Sequence, residues 1–157
     1  MSQSQLRQLA EPFPPRLIKS PPKGKFGSYV SHSTVNERAL SIVGPFSFAV
    51  DQVIRGYAEA VTVNKGKDNE HTYPAREAVV GCTAMLTVEV DGRAVSVVEV
   101  GDVEGAAAQT DGANLKEASS DAFKRCWMRL GLGLHLWSQG DYFLANQMDK
   151  ETSDEPS

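Results

Sequence analysis

The strongest constraint on the fold comes from residues 78–100. In AVVGCTAMLTVEV (78–90), Val80, Cys82, Ala84, Leu86, Val88 and Val90 recur with a period of two, which puts all six on one face of a strand. Asp91-Gly92 follows, a dipeptide suited to a two-residue hairpin turn because both positions need positive φ, and AVSVVEV continues the strand pattern beyond it. A hairpin with one apolar face is not stable alone, so another element must cover that face.

The covering element is legible downstream. On a helical wheel, Leu115, Ala118, Ala122, Phe123, Cys126, Trp127 and Leu130 of NLKEASSDAFKRCWMRL occupy about half the circumference at roughly 100° per residue. Asn114 with Glu117 has the outline of a capping box, and Gly131 or Gly133 supplies a left-handed stop. Ser119 falls inside the apolar arc, where a small side chain lets the helix lie close to a sheet. Upstream, FSFAVDQVI (46–54) alternates as a third strand, and HSTVNERALSIVG reads as a short helix with Ser33 or Thr34 as N-cap and Gly44 as its end. The expected class is α+β: a helix, a three-stranded antiparallel sheet, and a long helix laid across it. VTVNKGKDNEHTYPAR (61–76) is compatible with either a hairpin tip or an unstructured loop.

Three segments are expected: an extended basic, proline-rich arm over 1–27, a folded domain over 15–144 and an acidic disordered tail over 145–157. The net charge of -4 argues at first against polyanion binding, but it is unevenly distributed. Residues 141–157 carry Asp141, Asp149, Glu151, Asp154 and Glu155 against Lys150 alone, whereas 1–38 carry Arg7, Arg16, Lys19, Lys23, Lys25 and Arg38 against Glu11 and Glu37. A basic edge thus coexists with an acidic whole. No stretch has the roughly 20 apolar residues of a membrane span and the N-terminus has no apolar signal-peptide core, so a cytoplasmic location is expected.

Catalytic arrangements are not evident. His32, His71 and His135 are scattered among the acidic residues without a metal-ligand or nucleophile-base spacing, and GLGLHLW follows a helix instead of opening one, which rules it out as a phosphate loop. Cys82 and Cys126 lack a CxxC context and fall on apolar faces, so they read as buried reduced thiols. Lys124 and Arg125 have two readings from the residues alone. They are a solvated helix flank with Asp121–Arg125 as an ordinary i,i+4 pair, or, with Arg16, Lys19, Lys23 and Lys25 of the arm, the lining of a phosphate groove.

LKEASSDAFKRCWMRLGLGLHLW resembles the signature helix of the Rad52 family of single-strand annealing proteins, which includes bacterial relatives of the DdrA type and phage recombination proteins. In that family K-E-A-x-x-D-[AG]-[LF]-K-R precedes a glycine-punctuated helix end. Tyr29-Val30, His32, Asn36 and Gly44-Pro45-Phe46 are similar to its helix-to-strand entry, VVGCTAMLTVEVDG to its central hairpin, and Asp141-Tyr142-Phe143-Leu144 to the segment after the helix. The likeness covers about residues 15–144.

The resemblance implies a β-β-β-α core that self-associates as a ring or helical assembly and holds single-stranded DNA by its backbone, leaving bases open for pairing. ATP-independent annealing in recombination or repair needs no cofactor and no metal under this reading, and it is not an enzyme's reaction. The family's basic helix pair matches Lys124 and Arg125, and its arm residue matches Lys19. Arg129 stands one position beyond a further family arginine, where this chain has Met128, and Arg76 is the counterpart of an outer basic site. A single-strand-binding protein or an exonuclease are further candidate partners. The alternatives are a DNA-end-protecting binder without annealing activity and a small hot-dog-like α+β enzyme.

Overall fold

The computed structural model describes residues 3–20 and 29–136. Its elements are α1 (Gln5–Ala10), α2 (His32–Val43), β1 (Ser47–Ala58), β2 (Val61–Val63), β3 (His71–Tyr73), β4 (Arg76–Val90), β5 (Arg93–Asp102) and α3 (Asp111–Arg129). They form the expected α+β arrangement: a three-stranded sheet of order β1-β4-β5, a long helix across it, and a separate two-stranded β2-β3 ribbon. The chain divides into two compact units, one of Ser47–Thr87 and Ser96–Cys126, the other of Met1–Phe46, Val88–Val95 and Trp127–Ser157.

In the first unit the apolar row of β4 keeps its period from Cys82 to Leu86, but not at Val80, which is half-buried while Val79 is buried, where the register with β1 shifts between Gly81 and Val79. Cys82, Ala84 and Leu86 are fully buried and Met85 between them is exposed. Cys82 and Ala84 meet Ala118 and Ala122 of α3, with Phe48, Val103 and Leu115 packed around them. The ring of Phe48 stands edge-on to Phe123, 5.1 Å between centroids. Small residues on both sides of this contact let helix and sheet approach closely. At Gly101 the approach reaches its limit, since a Cβ there would lie 1.8 Å from the Ala118 carbonyl oxygen. The two cysteines are free and buried, and the Cys126 thiol donates to the Val97 carbonyl at 3.7 Å.

Segment 61–76 is a hairpin ribbon. Val61, Thr62 and Val63 pair with Tyr73, Thr72 and His71. Its turn uses positive φ at Asn64 and Gly66, and the Glu70 carboxylate accepts the Gly66 N–H at 2.7 Å.

The second unit carries the element that the sequence patterns did not indicate. Gln5–Ala10, inside the segment expected to be an extended arm, is helical. Asp91, the first residue of the hairpin turn, explains it: its carboxylate accepts the N–H groups of Gln5 (2.7 Å) and Leu6 (3.2 Å), and its own N–H donates to the Gln5 side chain at 2.7 Å. Asp91 and Gly92 have φ of 50° and 78°, as the two-residue turn requires. Beyond α1, Phe13 is buried beneath the Arg38 guanidinium, 4.4 Å from its ring centre, and its N–H donates to His135 Nε2 at 3.3 Å.

Helix starts are the other departures. α2 begins at His32 with Ser31 as cap, ahead of Ser33 and Thr34. α3 begins at Asp111, three residues before Asn114, because Thr110 Oγ1 accepts the Ala113 N–H at 3.2 Å. Asn114 is fully buried and donates to the Ala106 carbonyl at 3.0 Å, while Glu117 accepts from Gln109. The expected tail, 145–157, lies outside the described residues.

Candidate nucleic-acid interface

The polar flank of α3 follows from its apolar face. With Ala118, Ala122, Phe123, Cys126 and Trp127 buried, the intervening Lys124 and Arg125 are held at the edge, each partly exposed. Lys124 has no carboxylate partner among the described residues. Arg125 is tied down: its Nε donates to Asp121 Oδ2 at 3.2 Å, one turn back. The same oxygen accepts the backbone N–H of Asp102 at the end of β5, also at 3.2 Å. Asp121 thus joins strand, helix and guanidinium, and its charge adds to burial in pushing the Cys82 thiol up, against the Gly101 backbone hydrogen bond that lowers it.

Arg76 has a different position. Its Nε donates to the Ala107 carbonyl, Nη1 to Glu77 O and Asp111 Oδ1, and Nη2 to the carbonyls of Ala106 and Gln109. A guanidinium has five N–H donors, and these bonds use all of them. The structure therefore makes Arg76 a clamp on the loop that leads into α3. Arg55 and Asp111 complete the clamp and were not evident in the sequence. A register shift in β1 between Ile54 and Arg55 sets Arg55 opposite Val79, and its Nη1 reaches Asp111 Oδ2 at 2.9 Å. Those bonds, the Arg55 one first, then the Val79 N–H and Arg76, hold the Asp111 carboxyl below its ordinary value.

Arg16, Lys19 and Arg129 belong to the other unit and are exposed. Lys19 is fixed at its backbone, exchanging hydrogen bonds with Tyr29 at 2.8 and 3.1 Å. Arg16 sits in a single 3-10 turn, Pro15–Leu17. Lys23 and Lys25 fall outside the described residues.

A family model described as Rad52/22 family double-strand break repair protein matches residues 2–155. The chain belongs to the Rad52/22 family. Nearly its whole length is covered, so the membership rests on sheet and long helix together, and it places the protein in DNA double-strand break repair. A search of curated proteins gave no match. Among the described residues of this Rad52/22 protein, no helix is long and apolar enough to cross a membrane.

Proposed function

We propose that this Rad52/22-family protein binds single-stranded DNA through its phosphate backbone and anneals complementary strands without ATP. The observation that carries the reading is the α3 flank, where Lys124 stands without a carboxylate partner among the described residues beside the bracketed Arg125. Cations held this way neutralise phosphates whatever the base sequence and release condensed counterions. The bases then remain available to a second strand. Lys19, with Arg16, Arg129, Lys23 and Lys25, extends the phosphate contacts in this reading, while Arg76 shapes the loop before α3.

Self-association supplies the length of strand that one small domain cannot hold. The sheet surface supports it: β1 and β5 are both edge strands. On the face turned from α3, Met85, Val98 and Val100 are 43%, 57% and 50% exposed.

The test is annealing of two complementary labelled oligonucleotides, without ATP or metal, alongside single-strand binding across a salt series. Accelerated annealing with salt-sensitive binding is expected. Binding without acceleration would leave an end-protecting protein, and no binding at low salt would overturn the DNA reading.

A further inference from the structure

We propose that Asp121 is a positioning residue for DNA binding: by fixing Arg125 it strengthens the hold on phosphate, although its own charge opposes the ligand. The inference rests on the assignment of Arg125 to a phosphate contact made above.

An ordinary i,i+4 pair on a helix surface has two mobile ends and contributes little. Here one end is fixed. Asp121 Oδ2 accepts two N–H groups at 3.2 Å, from Arg125 Nε and from the backbone of Asp102. The Asp102 amide is held near the helix, because Gly101 beside it packs so close to the α3 backbone that a Cβ there would overlap the Ala118 carbonyl oxygen. The bracket is therefore referred to the sheet, and the guanidinium is referred to the bracket. Asp121 and Arg125 have side chains only 24% and 35% exposed, so solvent competes weakly for the bond.

The atom used matters as well. Nε lies nearest the aliphatic stem, whereas the Nη groups supply most of the donors in a forked contact with a phosphate. Anchoring through Nε orients the plane of the fork from its base. An arginine ordered before the ligand arrives loses less freedom on binding, which is the general advantage of a preorganised contact.

Coulomb's law alone predicts the opposite sign. A carboxylate one helical turn from a phosphate site repels the ligand, so its removal would tighten binding. The two accounts therefore separate on the direction of a single measurement.

The full chain and its D121A, D121E, D121N, R125A and D121A/R125A variants would be titrated with a fluorescent oligothymidylate over a salt series, with circular dichroism melts as the folding control. D121A is expected to weaken binding about three- to tenfold, the scale of ordering one rotamer-rich side chain. D121E keeps the charge but displaces the carboxylate by a methylene in a good helix-forming residue, so it tests position if D121A fails to fold. It is expected to weaken binding in the same direction. D121N keeps an oxygen acceptor and is expected to retain wild-type affinity or better it. In the R125A background, where no guanidinium remains to be positioned and only the repulsion is left, D121A is expected to weaken binding no further and to tighten it if anything. Wild-type or tighter binding by D121A, or unchanged binding by D121E, would overturn the proposal while R125A still weakened binding. An R125A protein that binds normally would overturn the phosphate assignment of Arg125 and this proposal with it.

Discussion

Gly101 and Ala118 meet backbone to backbone: a Cβ on the glycine would stand 1.8 Å from the alanine carbonyl oxygen and 2.8 Å from the Ala122 nitrogen. No rotamer change relieves such a contact, because both obstructing atoms belong to a helix backbone. Gly101→Ala is expected to destabilise the protein by at least about 3 kcal/mol, the upper end for overpacking. Gly81→Ala, whose Cβ would meet Gly101 O at 2.7 Å, is expected to cost less. Chemical denaturation of the two variants checks the order.

Replacing Arg76 removes a clamp on the loop before α3. Arg76→Ala leaves the carbonyls of Ala106, Ala107 and Gln109 without this donor, and a loss of about 2–3 kcal/mol is expected for hydrogen bonds from a charged group. At temperatures where the variant is folded, its salt slope for single-stranded DNA should equal that of the wild type. A slope reduced by one contact would instead make Arg76 a phosphate ligand.

Lys124→Ala with Arg125→Ala should do the reverse. Both side chains are on the flank of α3 outside the buried set, so the melting temperature is expected to change little. Log affinity against log salt should flatten by about 1.4 for two lost phosphate contacts on a single strand. Fluorescence anisotropy at several salt concentrations measures this.

Stability should fall as the medium becomes acidic, through His135. Burial first, and then the charge of Arg38, push its imidazole below the ordinary 6.5. The neutral ring accepts the Phe13 N–H, and protonation would set donor against donor. Since the folded state binds this proton less readily than the unfolded chain, the contribution is complete above the unfolded value. It is lost as pH falls below about 6.5 and through the lower folded value. Thermal melts between pH 8 and 5 should show the decline, and His135→Gln should flatten it.

What the sequence disclosed was mostly what depends on local period. The β4 row from Cys82 to Val90, the Asp91-Gly92 turn and the apolar arc of α3 were legible because burial in each follows a repeat of two or 3.6. The Lys124–Arg125 flank was legible as the remainder of that arc. Features set by distant partners were not. Helix α1 has a local cap in Ser4 but is also bonded to Asp91, 86 positions from Gln5, and the true start of α3 was hidden by Gly112, which reads as loop although Thr110 caps the turn. The loop contacts of Arg76 were not legible because its acceptors are mostly main-chain carbonyls, whose positions no residue type announces.

The bond between Asp91 and Gln5 also sets an order of events at the ribosome. A helix of six residues is far too short to persist in water by itself. Gln5–Ala10 is translated before the β4-β5 hairpin, yet the carboxylate that accepts its Gln5 and Leu6 N–H groups follows some 86 residues later and is shaped only when β4 turns back into β5. Helix α1 thus waits, once made, for a turn that has still to be translated.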